Sequence, residues 1–393
     1  MPLVSVIIPT HNRARYAIPT IRSVLALSSE IEVVVCDTSE KDLISSEFAN
    51  EFNFSRLRLV RPNRPMSVVE NFIEAMSVAT GDYLIFIGDD DLVSRSVVDV
   101  ANWASREQVD SVKFTFPALY FWPDFEHKKL GDAYAGTLHI APFTGAIQKH
   151  DAKAALLEAI HNFGGGVLEM PRAYAGMVSR RLAEKISVRY SGLFGGVSPD
   201  IYSAALISLE SECCVKIDFP VIVPGASGAS TAGQSANGKH VGGLRDNAHI
   251  GAFKDLKWDK RIPEFYSVPT VWSYSLLKAL EVAPIDINKV NFPRLYTKCF
   301  IYQRPFRRLT WASLRHYAES RSWSVAAMGI FASCMAESVW VARKLFERAK
   351  GRYIKSVVII ETKLIDTKTA SEFLETYLAD AGVTLQLDFQ VAE

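Results

Sequence analysis

Three consecutive carboxylates, Asp89-Asp90-Asp91, follow Gly88 and the apolar run Tyr83-Leu84-Ile85-Phe86-Ile87. Crowded acids at the end of a buried strand repel one another and are costly to remove from water. A cation or a polar partner relieves that cost. Oxygen-only ligands at this spacing suit a hard divalent ion such as Mg²⁺ or Mn²⁺. The same residues also suit a solvated turn that caps a helix, since Asp favours both places. Three further groups could do chemistry: Thr10-His11-Asn12-Arg13, Cys36-Asp37-Thr38-Ser39 and Ser198-Pro199-Asp200. Asp37 could accept a hydrogen bond from a base imide or a ribose hydroxyl, or cap the next turn. Asp200 suits a proton acceptor for a hydroxyl nucleophile, or a partner of a helix dipole.

The elements that must position these groups alternate in type. Leu3–Pro9, Ile31–Cys36, Ser55–Val60, Asp82–Ile87 and Ser111–Phe116 read as strands. Helical patterns lie at about Tyr16–Leu27, Met66–Ala79 and Ser96–Arg106, with Val68, Phe72, Ala75, Met76 and Ala79 sharing one apolar face. This order predicts a mostly parallel α/β sheet with helices on both faces. In such a sheet the ligand crevice lies outside the carboxyl ends of the strands. Thr10–Arg13, Asp37–Ser39 and Asp89–Asp91 all fall there. A helix is expected from Pro199 to about Ser211, with Ser198 as its cap and Asp200 in its first turn. Residues 225–251, rich in Gly, Ser and Ala, read as a long flexible loop. From about 268 onward the chain turns helical, and it ends strand–helix–strand: Ile354–Glu361, Ala370–Ala379, Val383–Phe389.

Composition sets the bounds. The 393 residues are enough for a large catalytic domain and an accessory one. A formal net charge of +1 gives no overall pull toward nucleic acid. Five cysteines without CxxC spacing indicate neither a disulfide framework nor a zinc site, and fit a reducing cytoplasm. The N-terminus lacks the basic start and cleavage site of a signal peptide. The apolar stretch Trp323 to Leu345 is interrupted by Glu337, Arg343 and Lys344. It reads as a packed helix, with an interfacial helix as the alternative.

Ser5-Val6-Ile7-Ile8-Pro9-Thr10-His11-Asn12-Arg13 resembles the opening of a family 2 glycosyltransferase of GT-A fold. Thr80-Gly81-Asp82-Tyr83-Leu84-Ile85-Phe86-Ile87-Gly88-Asp89-Asp90-Asp91 resembles that family's DxD block and the strand before it. The resemblance covers about residues 1–235. It implies a Rossmann-like mixed sheet flanked by helices, and an inverting, metal-dependent hexosyl or related transferase. The donor would be a nucleotide-diphosphate sugar, most often a UDP-sugar, with Mn²⁺ or Mg²⁺. By the same resemblance Pro9, Thr10, Asn12, Arg13, Asp37, Asp89 and Asp90 would contact the donor. Asp91 would reach the metal together with Asp89, and Arg13 would pair with a phosphate or with Asp37. Asn71 matches an asparagine of the family's third helix. Asp200 would be the base, since the family places its catalytic acid about a hundred residues after the DxD at a helix start. Two departures stand out. Asp37 lacks the second acid that many members carry, and Pro199-Asp200 replaces a Glu-Asp pair. The loop 225–251 falls where the family has a mobile acceptor loop; in it His240 and His249 could complete a metal shell or touch a diphosphate and Arg245 could pair with a phosphate, or the loop histidines could simply face solvent.

The expected organisation is a GT-A domain over 1–255 and a helical C-terminal region over 256–393. The first would divide into a nucleotide-binding half, 1–120, and an acceptor-binding half, 121–255. The second would serve acceptor, membrane or subunit contacts. The expected reaction moves a sugar to a hydroxyl of a glycan or lipid-linked acceptor in bacterial surface polysaccharide synthesis. It would occur in the cytoplasm or at the inner membrane face. The rival is a non-catalytic sugar-nucleotide or glycan-binding module that keeps Asp37 and the acidic run but lacks a working base. Sugar nucleotidyl transfer would need a glycine-rich triphosphate loop, and residues 10–15 contain no glycine.

Overall fold

The computed structural model describes residues 2–49, 55–230, 233, 241–251, 253, 256–353 and 358–389. The first half builds one sheet. Strands β1 (Val4–Thr10), β2 (Ile31–Asp37), β3 (Leu57–Val60) and β4 (Tyr83–Phe86) are joined through helices α1 (Ala14–Leu27), α2 (Leu43–Phe48) and α3 (Val68–Val78). β1 lies between β2 and β4, parallel to both, and β3 extends the order beyond β2. Parallel strands buried on both faces must be apolar throughout. Alternate residues divide between two cores accordingly. Val6, Ile8, Val33, Val35 and Ile85 pack with α1, whereas Ile7, Val34, Cys36, Leu84 and Phe86 pack with α3.

The strands that follow are β5 (Leu92–Val93), β6 (Ser111–Phe114), β7 (Ala118–Phe121), β8 (Thr137–Ile140), β9 (Ile147–Lys149), β10 (Met177–Ser179) and β11 (Cys214–Ile217). Of these, β6, β9, β10 and β11 join the first sheet and make it mixed, while β5, β7 and β8 belong to smaller sheets. β10 inserts antiparallel between β4 and β6, β11 runs parallel to β6, and β9 closes the edge antiparallel to β11. α4 (Ser96–Arg106), α5 (Ala152–His161), α6 (Arg180–Tyr190) and α7 (Pro199–Glu210) flank it. α7 begins where expected, but the Ser198 side chain makes no capping bond. Ser275 Oγ instead accepts the backbone amides of Val197 and Ser198, at 3.2 and 2.8 Å.

Short strands β12 (Ile222–Val223), β13 (Gly225–Ala226), β14 (Gly242–Gly243) and β15 (Phe265–Tyr266) and the one-turn α8 (Ala248–Gly251) lead into the helical part. There α9 (Val268–Val282), α10 (Phe292–Tyr302), α11 (Arg307–Arg321) and α12 (Trp323–Tyr353) follow in order. α9 packs on α7, and α11 and α12 pack on α10. The chain then returns to the opposite face of the first sheet. β16 (Ile359–Glu361) pairs antiparallel with β8, and α13 (Thr367–Asp380) packs on α1. The last expected strand does not form. Residues 383–389 run without a strand partner, held by Gln386 N donating to Gly145 O and Trp103 Nε1 donating to Phe389 O, at 3.0 and 3.1 Å. The start of the expected strand Ile354–Glu361, residues 354–357, lies outside the described residues.

Candidate active site

β1, β2 and β4 run in parallel, so their carboxyl ends deliver Thr10, Asp37 and the acidic turn to one edge. Thr10 Oγ1 donates to Asp89 Oδ2 at 2.6 Å. The Thr10 carbonyl accepts from Thr38 N at 3.1 Å and from Asn71 Nδ2 at 3.3 Å, so Asn71 braces the end of β1 from below. Asn12 sits in a left-handed conformation, φ 55°, which Asn tolerates better than most residues. That turn lets its amide donate to Ser39 Oγ at 2.7 Å and its Oδ1 accept from Glu40 N at 3.1 Å. Pro9 lies within β1 opposite Cys36.

Arg13 departs from one expectation: it does not pair with Asp37. Its Nε donates to Asp89 Oδ1 at 2.6 Å, and its Nη2 lies 2.8 Å from Asp90 Oδ2 and donates to Ser227 Oγ at 3.0 Å. Burial alone would weaken the charge on this guanidinium, but Asp89 and Asp90 more than offset it and raise its pKa. Asp37 is held instead by Arg61, whose Nη1 is 2.8 Å from Oδ2, and by the Ser39 amide at 2.9 Å from Oδ1.

The three acids of the turn are all buried and separate by partner. Asp89 binds Thr10 and Arg13. Asp90 Oδ2 accepts from Ser227 Oγ at 2.6 Å and Ser227 N at 3.2 Å, beside Arg13. Asp91 accepts two backbone amides, Gly88 N on Oδ2 and Gly225 N on Oδ1, each at 2.7 Å. Burial pushes the Asp89 carboxyl up to about 6 and Asp91 up to about 7, with Asp90 adding to both, against Arg13 at Asp89 and the two amides at Asp91. The start of the glycine-rich loop is therefore pinned onto the acidic turn. A Cβ on Gly225 would lie 1.8 Å from the Asp90 carbonyl oxygen, so only glycine fits.

The residues expected to hold a divalent ion through carboxylate oxygens are Asp91 and Asp89. Here the Asp89 oxygens accept from Thr10 and Arg13, and the Asp91 oxygens accept from backbone amides. Among the described residues no group of three His, Cys, Asp or Glu is arranged to hold a metal. Arg13 supplies a counter-charge to Asp89 and Asp90 in this arrangement. His240 and the side chain of His249 lie outside the described residues. Arg245 lies 3.6 Å from Glu264 and donates to Leu256 O at 3.1 Å, rather than facing the acidic turn.

Asp200 stands at the first turn of α7. Its side chain meets Arg172, Nη1 to Oδ2 at 3.2 Å, while Oδ1 is buried without a hydrogen-bond partner. Burial raises its pKa, opposed by Arg172. Arg172 and Tyr174 are the groups that sequence reasoning missed. The Ala173 carbonyl accepts from Phe86 N at 2.9 Å and Ala175 N donates to Phe86 O at 2.6 Å, so segment 173–175 runs along the end of β4. This brings the Tyr174 hydroxyl to 3.4 Å from Asp91 Oδ2. Burial raises the Tyr174 pKa well above the usual phenol range, and Asp91, Asp90, Asp89 and Asp200 all add to it. One phenol thus senses the acidic turn and the α7 carboxylate together. No local motif marked either residue, because their placement depends on a chain reversal before β10.

The sequence model of Glycosyl transferase family 2 matches residues 5–154. That segment is similar to glycosyl transferase family 2. The mixed sheet flanked by helices is the GT-A architecture that the family implies, followed by a mainly helical C-terminal region. No curated protein matches the chain. Among solved structures, S. aureus TarS is 16% identical with a TM-score of 0.41, covering 79% of this chain and 55% of that one. The chain thus spans just over half the length of that TarS chain. TarS 1–349 in complex with UDP-GlcNAc is 15% identical with a TM-score of 0.44, covering 78% and 74%. The mannosyltransferase PcManGT from Pyrobaculum calidifontis, in complex with GDP-Man and Mn²⁺, is 16% identical with a TM-score of 0.39, covering 91% and 88%. Likenesses this distant carry neither donor nor acceptor over to this chain.

Proposed function

We propose that this protein transfers a sugar from a nucleotide-diphosphate donor, a UDP-sugar in the first instance, to a hydroxyl of a glycan or lipid-linked acceptor, with inversion. The observation that carries the reading is the convergence of Thr10, Arg13, Asp37 and Asp89 on one strand edge, inside the segment that matches the family. Asp37, held by Arg61 on Oδ2 and by Ser39 on Oδ1, stands at the same edge as a candidate contact for the base or ribose. As the glycosidic bond breaks, charge grows on the leaving diphosphate, and donors already in place stabilise it best. Among the described residues, Arg13, Arg61 and Arg172 are the cations paired with Asp89, Asp37 and Asp200.

An inverting displacement needs one base opposite the leaving group to take the acceptor proton. Asp200 is the candidate, with one oxygen on Arg172 and the other without a partner. The unpartnered oxygen would accept the proton as the acceptor attacks, and Arg172 opposes the burial that disfavours the ionised carboxylate. Release of nucleotide diphosphate from a panel of sugar nucleotides tests the reading. Wild type should turn over at least one donor, and Asp200→Asn should do so at least about a hundredfold more slowly. Turnover by neither protein favours a binding module, and equal turnover removes Asp200 from the chemistry.

A further inference from the structure

Helix α12 departs most from its sequence expectation. Its apolar stretch Trp323–Glu347 has a mean hydropathy of 1.6, enough in length and composition to cross a membrane, yet only 17% of it is buried. One narrow face packs inward. Ala326, Ser333 and Glu337 are 1%, 3% and 4% exposed. Glu337 Oε2 lies 2.6 Å from Arg294 Nη2, and Arg294 Nη1 donates to Ser333 O at 2.7 Å, so a buried ion pair fastens the middle of the helix to α10. The opposite face carries Met328, Phe331, Met335, Val339 and Phe346, exposed by 56% to 71%. Their spacings of three, four, four and seven residues align them along one side.

Charge lies beside this stripe. Trp311 of α11 meets Trp323 at the start of α12, ring centroids 5.9 Å apart. Arg308 and Arg315 stand one turn before and after Trp311 on the same exposed side of α11. Between residues 304 and 321 there are five arginines and one glutamate, although the whole chain carries only +1. An exposed apolar stripe edged by Trp and Arg matches the interface of an anionic bilayer, where tryptophan and basic residues settle at headgroup level. We propose that α11 and α12 form a monotopic docking surface for an anionic lipid bilayer. α12 lies on the bilayer and does not span it, because spanning would pull Glu337 away from Arg294 and leave the Glu337 carboxylate unpaired in hydrocarbon. The inference stands apart from the proposed transfer reaction.

Sedimentation of the full chain with vesicles tests it, using phosphatidylcholine alone and phosphatidylcholine mixed with phosphatidylglycerol. The protein should pellet with the anionic vesicles at low salt and be released at high salt. Phe331→Ser with Met335→Ser should abolish pelleting. Arg308→Gln with Arg315→Gln keeps the apolar stripe, and should weaken anionic binding by about fivefold per charge. All four positions are exposed, so circular dichroism and Tm should not change, and the charge pair preserves the test if the apolar pair misfolds. Failure to pellet with anionic vesicles overturns the proposal. So does a dimeric mass by light scattering that the apolar pair abolishes while neither protein binds vesicles, because the stripe then covers a second copy. Equal pelleting of wild type and both variants overturns it as well.

Discussion

At residue scale the account rests on Asp200 and Arg172. Proton transfer by a positioned carboxylate contributes about 10²- to 10⁴-fold in rate. Asp200→Asn should lower kcat by about that factor while leaving the KM for donor little changed. Arg172→Gln removes the cation that opposes burial at Asp200. Without it the ionised form is less favoured, so the carboxyl pKa rises and the acid limb of the kcat/KM profile moves to higher pH. An unmoved limb with a lower kcat would make Arg172 a purely structural residue. Asp37, Asp89 and Asp200 were legible from residue type and position because each follows a strand or opens a helix. Their partners were not. Arg61 and Arg172 reach them from elements whose sequence gives no sign of where they fold, and the notion that Arg13 pairs with Asp37 failed because Asp89 and Asp90 lie in its path.

At element scale the acidic turn is held against its own charge. The Asp89 and Asp91 carboxyls titrate at about 6 and about 7 in the folded chain, above the about 3.9 of a free carboxyl. Their folded values are raised, so the stability they contribute is full below the free value and is lost as pH rises through 6 to 7. Tm should therefore be higher near pH 5.5 than near pH 8, as read by differential scanning calorimetry, and a rise over the same span would contradict the burial of these groups. Gly225→Ala drives a Cβ into the Asp90 carbonyl. It should cost about 1–3 kcal/mol in urea unfolding, the usual range for overpacking. Strands β1–β4 and β6 and helices α1, α3 and α4 were readable from periodicity, and α7 from Pro199 at its start. The pinning of Gly225 and Ser227 was not, because a glycine-rich segment reads as flexible until the surface that captures it is known.

At the scale of the whole molecule, the C-terminal chain serves two cores. α9–α12 build on α7, while β16 and α13 return to β8 and α1. Leu374 of α13 is fully buried in the core beneath α1, the helix that begins just after Arg13. Leu374→Ala should lose about 2–5 kcal/mol by chemical denaturation and weaken donor binding with it. Sequence pattern located α13, but its docking site is a long-range contact that no local period encodes.

The central claim is a nucleotide-diphosphate pocket on the carboxyl edge of β1, β2 and β4. The direct test is thermal shift with nucleotide diphosphates and their sugars, with and without Mn²⁺. Ligand that binds only the folded state raises Tm by mass action, about 2.7 kcal/mol at a hundredfold excess over Kd. The account predicts a rise in wild type with at least one nucleotide diphosphate and no rise in Asp37→Ala. No shift with any nucleotide, with or without metal, would contradict it.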